Sequence, residues 1–355
     1  MDFVVGNPQE MPLAGYVGAL RAQIEPRSND WFAYQMSDPA ACVVVADSLR
    51  ARLGAAFEAD DVLMTTGAFA GLGVALKTLI DPGDEVIFVS PPWFFYEALI
   101  AAEGGVPVRV RTRPPDFRLD IEALGEAITP RTRAVIVNSP NNPTGRIYSA
   151  AELTALAELL ERASSESGRR VYVLSDEAYS RIVFDQRQFL SPTSFYAWSV
   201  LIYTYGKTLL TPGQRIGYLA LSPTLPLAER EALRGALTLA QVVSGYAYPN
   251  ALLQHALPEL EQLSIDVAAI ERRRDRLVQA LRAMGYTVGL PDGTFYLLPR
   301  APLADDVAFV ERLAAHDVFV LPGSAVDLPG YFRISLTATD AMVERALPVF
   351  AEAAR

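Results

Sequence analysis

The 355-residue chain holds one cysteine, Cys42, and two histidines, His255 and His316, far apart in sequence. A lone cysteine excludes an intrachain disulfide and a cysteine cluster, and it fits a reducing cytoplasm. With two scattered histidines, zinc hydrolysis and histidine-centred triads have little to work with, so no metal is expected. No uninterrupted apolar run reaches the ~18 residues a membrane span requires. The opening Met1-Asp-Phe-Val-Val-Gly6 has neither a basic stretch nor a long apolar core, so no secretory signal is expected. Charged residues make up 20% and hydrophobic ones 51%, which predicts a substantial buried core rather than disorder. The net charge of −10 argues against a nucleic-acid or anionic-membrane surface. A soluble, cytoplasmic protein with no nucleic-acid and no membrane partner is the expectation.

What is present is an alternation of helical and strand-like patterns. Ala46 to Phe57 reads as a helix, as does Gly67 to Ile80, stopped by the turn Asp81-Pro-Gly-Asp84. Glu85–Val89 and Val106–Arg111 read as strands around a helix from Phe94 to Glu103. Further apolar runs cover Ala134–Asn138, Val171–Ser175, Val200–Thr204 and Tyr218–Leu221. Apolar strands without alternation, separated by helices, predict an α/β fold with a mostly parallel sheet covered on both faces. Ligands in such sheets lie beyond the carboxyl ends of the strands, where Asn138, Asp176 and Lys207 fall. One long helix is expected from Pro258 through Met284, its Glu271–Arg276 charge run read as a solvated face. Tyr286–Val288, Gly293–Leu297, Val318–Val320 and Phe332–Ser335 read as short strands of a separate, smaller α+β lobe.

The stretch Tyr203-Thr-Tyr-Gly-Lys207-Thr-Leu-Leu-Thr-Pro-Gly-Gln-Arg215 concentrates the chemistry. A lysine at a strand end in apolar surroundings loses solvation of its ammonium and becomes an amine nucleophile. Arg215, eight residues on, supplies a fork for a phosphate. A lysine with a phosphate anchor is what pyridoxal phosphate needs, a Schiff base at one end of the ring and a phosphate clamp at the other. Two more segments point the same way: Asn138-Ser-Pro-Asn-Asn142-Pro-Thr-Gly145 and Val171-Tyr-Val-Leu-Ser-Asp176-Glu-Ala-Tyr179.

N-P-T-G, then D-E-A-Y, then K with R eight residues on resembles the class I/II aminotransferases, the fold-type I pyridoxal phosphate enzymes. The resemblance implies a large cofactor-binding domain over 35–250 and a small domain made of 1–34 and 251–355. It implies amino transfer between an amino acid and a 2-oxo acid through a Schiff base on Lys207, which then moves the Cα proton. Asp176 would hold the proton on the pyridine nitrogen; a helix N-cap is its other reading. Tyr179 and Asn142 match the two donors to the ring's phenolic oxygen. Trp93, in Ser90-Pro-Pro-Trp-Phe-Phe-Tyr96, matches the stacking aromatic, with Phe94 or Tyr96 as the alternative. Thr66-Gly67-Ala68-Phe69 opens a helix whose free N–H groups suit phosphate, and Thr204 and Arg215 complete the cup. Two departures stand out: Phe69 lies where a hydroxyl or longer polar residue is common, and Gly206 where a serine is usual. Arg333 matches the arginine that grips the substrate α-carboxylate, and Gly6 the glycine over the substrate. Tyr34 matches the tyrosine reaching the partner's phosphate, which would make a homodimer with shared active sites.

Other pyridoxal chemistries use the same residues, so elimination, cyclisation or oxidation of an amino acid stays open alongside transamination. No second arginine is assignable to a side-chain carboxylate, although Arg27 and Arg181 could reach the pocket. Trp93, Phe94, Tyr16, Tyr34 and Phe69 would form an apolar wall, which predicts a neutral or aromatic amino donor.

Overall fold

The structure is a computed structural model that describes residues 1–354. Its centre is a seven-stranded sheet of β1 (Val62–Thr65), β2 (Glu85–Ser90), β3 (Val106–Arg111), β4 (Thr132–Asn138), β5 (Tyr172–Asp176), β6 (Ser199–Thr204) and β7 (Gly217–Leu221). The spatial order is β1-β7-β6-β5-β4-β2-β3. All neighbours pair parallel except β7, which runs antiparallel to both β6 and β1. Strands β4 to β7 are buried at nearly every position, as expected where helices cover both faces.

The helices are α1 (Ala14–Ile24), α2 (Pro39–Leu53), α3 (Ala68–Leu79), α4 (Tyr96–Ala102), α5 (Ile121–Ala127), α6 (Ala150–Ser167), the single turn α7 (Tyr205–Thr208) and α8 (Leu227–Val243). They are followed by α9 (Ala251–His255), α10 (Leu257–Leu260), α11 (Val267–Ala283), α12 (Asp306–Ala314) and α13 (Asp340–Ala353). One core lies between the sheet and α3, α4, α6 and α8. On the other side, α1, α2, α9 and α10 pack against Met64, Leu201, Tyr203 and Tyr218. A third core joins Phe3 to α11, α12, α13 and a small sheet of β8 (Tyr296–Leu297), β10 (Phe332–Ser335) and β9 (Leu321–Pro322). Phe3 is stitched in by its N–H to the Phe319 carbonyl (2.8 Å) and by the Ser335 N–H to its own carbonyl (2.9 Å).

Five expectations are corrected. The helix placed at Ala46–Phe57 is α2, which starts at Pro39 because Asp38 caps the free N–H groups of Ala40 and Ala41. It stops at Leu53 because Gly54 takes a left-handed conformation, φ 68°. The helix placed at Pro258–Met284 is broken over 261–266, where Asp266 caps a new start for α11. The Glu271–Arg276 run is a solvated face only in part: Arg272, Asp275 and Arg276 are exposed, but Arg273 and Arg274 are buried and paired with acids elsewhere in the chain. Arg273 reaches Asp340 (2.8 Å) and Glu10 (3.2 Å), and Arg274 reaches Asp185 (2.8 Å). Tyr286–Val288 forms no strand, and Val318–Val320 contributes a single bridge from Phe319 to Asp2. No helix among the described residues is long and apolar enough to cross a membrane.

Candidate active site

At the carboxyl ends of β4, β5 and β6 the chain closes around a cavity of about 180 Å³. Its wall includes Ala68, Phe69, Trp93, Asn142, Asp176, Tyr179, Thr204, Lys207 and Arg215, with Asn138, Leu72, Ala178, Gly206 and Pro212 between them. The resemblance to the class I/II aminotransferases implies the first nine at one site. Lys207 follows the end of β6 on the turn α7, its Nζ 5.5 Å from the centre of the Tyr179 ring and 5.6 Å from that of Phe295.

Asp176 ends β5 and is 5% exposed. Burial pushes its carboxyl above the usual range, while bonds from Tyr96 and Ala178 and the charge of Lys207 pull against that. The Tyr96 hydroxyl donates to Oδ2 at 2.5 Å and the Ala178 N–H to Oδ1 at 3.2 Å. A turn, not a helix, follows β5, so Asp176 is no helix N-cap. Asn138 braces the site from β4: its Nδ2 donates to the Asp176 carbonyl (2.9 Å) and its Oδ1 accepts from the Asn142 N–H (2.7 Å). The Asn142–Pro143 peptide is cis. Burial drives the Tyr179 phenol well above its ordinary value, so at neutral pH it is a hydrogen-bond donor.

Opposite the lysine, α3 opens at Gly67, φ 92°. A Cβ there would lie 2.4 Å from Nη2 of Arg215 and 3.4 Å from Thr204 Oγ1, so only glycine leaves this cradle open. Arg215 loses solvation, which lowers its pKa, and among the described residues no carboxylate lies within ion-pair distance. An exposed guanidinium without a carboxylate partner, close against the N-terminus of α3, suits a phosphate.

Arg333 and Gly6 do not line this cavity; Arg333 adjoins it through Asn142, and Gly6 packs against Phe295 and Tyr296. Arg333 is 2% exposed on β10, with Nη1 donating to Asn142 Oδ1 (2.8 Å) and Nη2 to the Val4 carbonyl (2.7 Å). Its Nε has no partner, and the Tyr296 ring stacks on it at 4.0 Å. A buried guanidinium without a carboxylate thus adjoins the site, in addition to the exposed Arg215. A Cβ on Gly6 would lie 2.3 Å from the Phe295 ring and 3.0 Å from the Tyr296 hydroxyl.

Several expected neighbours are elsewhere. Tyr34 is 89% exposed, packed on Tyr248 at 4.8 Å, and away from the cavity. Tyr16 is buried in the core beneath α1, and Phe94 is outside the cavity wall. Arg181 is not free to reach substrate, since it is largely buried and bonded to Glu261 at 2.6 Å. Sequence reading missed Tyr296 and the bond from Tyr96 to Asp176. For Tyr96 a signal existed, three residues after Trp93 in one aromatic segment; for Tyr296 it was the aromatic pair after Gly293.

A family model for aminotransferase class I and II matches residues 19–350. The chain is 32% identical over 314 residues to a probable aspartate/prephenate aminotransferase of Thermus aquaticus, covering 87% of this chain and 80% of that protein. Among solved structures it is similar to an amino transferase from Eubacterium rectale, with a TM-score of 0.94, 31% identity, and 99% of this chain and 89% of that one covered. It is also similar to aspartate aminotransferase from Thermus thermophilus with maleate, at a TM-score of 0.85 and 29% identity, covering 99% and 92%.

Proposed function

The chain belongs to the class I and II aminotransferases, and from that premise we propose that its cavity holds pyridoxal 5′-phosphate covalently on Lys207. The observation that carries this reading is the order of groups along one cavity: a lysine amine, a buried carboxylate, and an unpaired Arg215 against Gly67. Bound there, the cofactor supplies an aldehyde for the substrate amine and a ring that takes up electrons when the Cα–H bond breaks. Gly67, Ala68, Phe69, Thr204 and Arg215 hold the phosphate, and the Trp93 ring covers the cofactor face. Asp176 accepts the ring N–H, while Tyr179 and Asn142 donate to the ring's phenolic oxygen. The Lys207 amine would then be the base that takes the Cα proton and returns it. Arg333 has three N–H groups uncommitted and offers them to the α-carboxylate beneath Gly6.

The proposal extends to a cytoplasmic homodimer in which Tyr34 reaches the partner's phosphate. Leu239 and Val243 on α8 are 63% and 61% exposed, and Tyr246, Tyr248, Phe94 and Phe95 are also exposed, an apolar surface suited to a second copy. The two-domain division is kept, with the packing of α1, α9 and α10 on the large sheet favouring their inclusion in the larger unit. Besides Asp176, only Lys207 and Arg215 bring charge to the cavity wall, which also carries Phe69 and Trp93. A neutral or aromatic amino donor is therefore proposed over an acidic one. The test is a half-reaction with each of the twenty amino acids. Transamination converts the chromophore to the amine form, releases one 2-oxo acid, and reverses on adding pyruvate or 2-oxoglutarate. Product release without that stored amino group would mean another chemistry, and fastest conversion by aspartate would overturn the donor preference.

A further inference from the structure

Trp93 and Tyr96 lie three residues apart where the chain enters α4, and they serve one site from two directions. Trp93 lines the cavity, whereas Tyr96 is 2% exposed behind it, its ring packed edge-on to Trp93 (5.5 Å) and against Phe88 (6.4 Å). We propose that Tyr96 is a positioning residue: its hydroxyl keeps Asp176 ionised, and through Asp176 it keeps the cofactor's ring nitrogen protonated. This rests on the cofactor reading above.

The geometry supports a one-way donor. The Tyr96 O–H to Asp176 Oδ2 distance, 2.5 Å, is that of a charge-assisted bond. Burial and the neighbouring Asp176 charge hold the phenol far from ionisation, so Tyr96 gives this hydrogen bond across the accessible pH range. The other oxygen, Oδ1, is bonded by the Ala178 N–H. Each oxygen keeps a further lone pair, and Asp176 lines the cavity, where it would accept the ring N–H. Lys207 on α7 and Tyr179 after β5 also face this group, and Tyr148 faces Tyr96 from the loop before α6.

A proton shared by a carboxylate and a pyridine nitrogen rests on whichever side is the stronger base. At 5% exposure Asp176 would by itself draw the proton to oxygen, because burial disfavours its charge. The Tyr96 bond is made to the charged form and favours it, leaving the proton on nitrogen. Removing the hydroxyl should move the distribution towards protonated oxygen by about ten- to hundredfold, the worth of one hydrogen bond to a charged group. Ring packing needs no hydroxyl, so Phe separates the two roles.

The experiment loads the full-length protein with pyridoxal phosphate labelled with nitrogen-15 in the ring and reads the nitrogen shift by NMR. The parent should show a protonated nitrogen. Tyr96→Phe should move the signal towards the unprotonated position, with about ten- to hundredfold weaker cofactor retention. Should Tyr96→Phe fail to fold, 3-fluorotyrosine at position 96 preserves the ring and strengthens the donor; its shift should then lie at or beyond the parent's protonated value. A Tyr96→Phe spectrum identical to the parent, or a fluorotyrosine signal moved towards the unprotonated form, would overturn the proposal while leaving the cofactor reading standing. A parent that takes up no cofactor would overturn both.

Discussion

Replacing Arg333 by lysine isolates the carboxylate fork. Arg333 is 2% exposed, and its two bonded partners, Asn142 Oδ1 and the Val4 carbonyl, are neutral. Arg273 and Arg274, equally deep, each have carboxylates. A buried guanidinium left without a counter-ion is costly unless an anion arrives. Lysine preserves the charge, and its ammonium can bond one of the two neutral acceptors, so the fold should survive. It cannot present two parallel N–H groups to a carboxylate. Losing one charge-assisted hydrogen bond should cost about 1.5–3 kcal/mol, or about 10- to 150-fold in kcat/KM. The assay follows the half-reaction with an amino acid and with the matching amine that lacks the α-carboxylate. The amino acid should lose this factor and the amine should not. An equal fall for both would mean that Arg333 supports the fold or the cofactor and not the carboxylate.

Gly67→Ala places a Cβ 2.4 Å from Arg215 Nη2 in a φ of 92°, so cofactor affinity measured by equilibrium dialysis should fall by on the order of tenfold; unchanged affinity would place the phosphate elsewhere. Burial pushes the Glu177 carboxyl up to about 7, with bonds from Ser175 and Ser191 on Oε1 and no partner for Oε2. The folded protein therefore binds this proton more tightly than the unfolded chain, and the group's stabilising contribution, full below about 4.3, is lost as pH rises through about 7. Glu177→Gln should raise the melting temperature at pH 8 and flatten its fall between pH 5 and 8; a parallel curve would remove Glu177 as the cause. Leu239→Glu with Val243→Glu should halve the mass in sedimentation, and a mass equal to the parent's would put the subunit contact on another face.

Most of the large sheet was legible because β4 to β7 are short apolar runs bounded by turn signals and alternating with helical patterns. β1 escaped notice: Val62–Thr65 is four residues long, and its partner β7 lies over 150 positions away. The break before α11 carries no proline or glycine; it is held by tertiary bonds, the Ile265 N–H to the Thr208 carbonyl and Tyr205 to Glu261. The burial of Arg273 and Arg274 depends on acids at 340 and 185, which no local pattern reveals. At the site, Asn138, Asp176 and Lys207 were readable because each lies at or just past the end of a strand, and Asn142 because it stands in the N-P-T-G motif. Tyr96 was readable as an aromatic near the site but not as a donor to Asp176, because a phenol looks the same in sequence whether it packs or donates.

Borohydride reduction of the pyridoxal phosphate-loaded protein, followed by peptide mapping, tests the central claim most directly. The label should sit on Lys207 and vanish in Lys207→Ala, which should remain folded and lose turnover. A label on Lys77, the other lysine, or no label at all, would contradict the assignment.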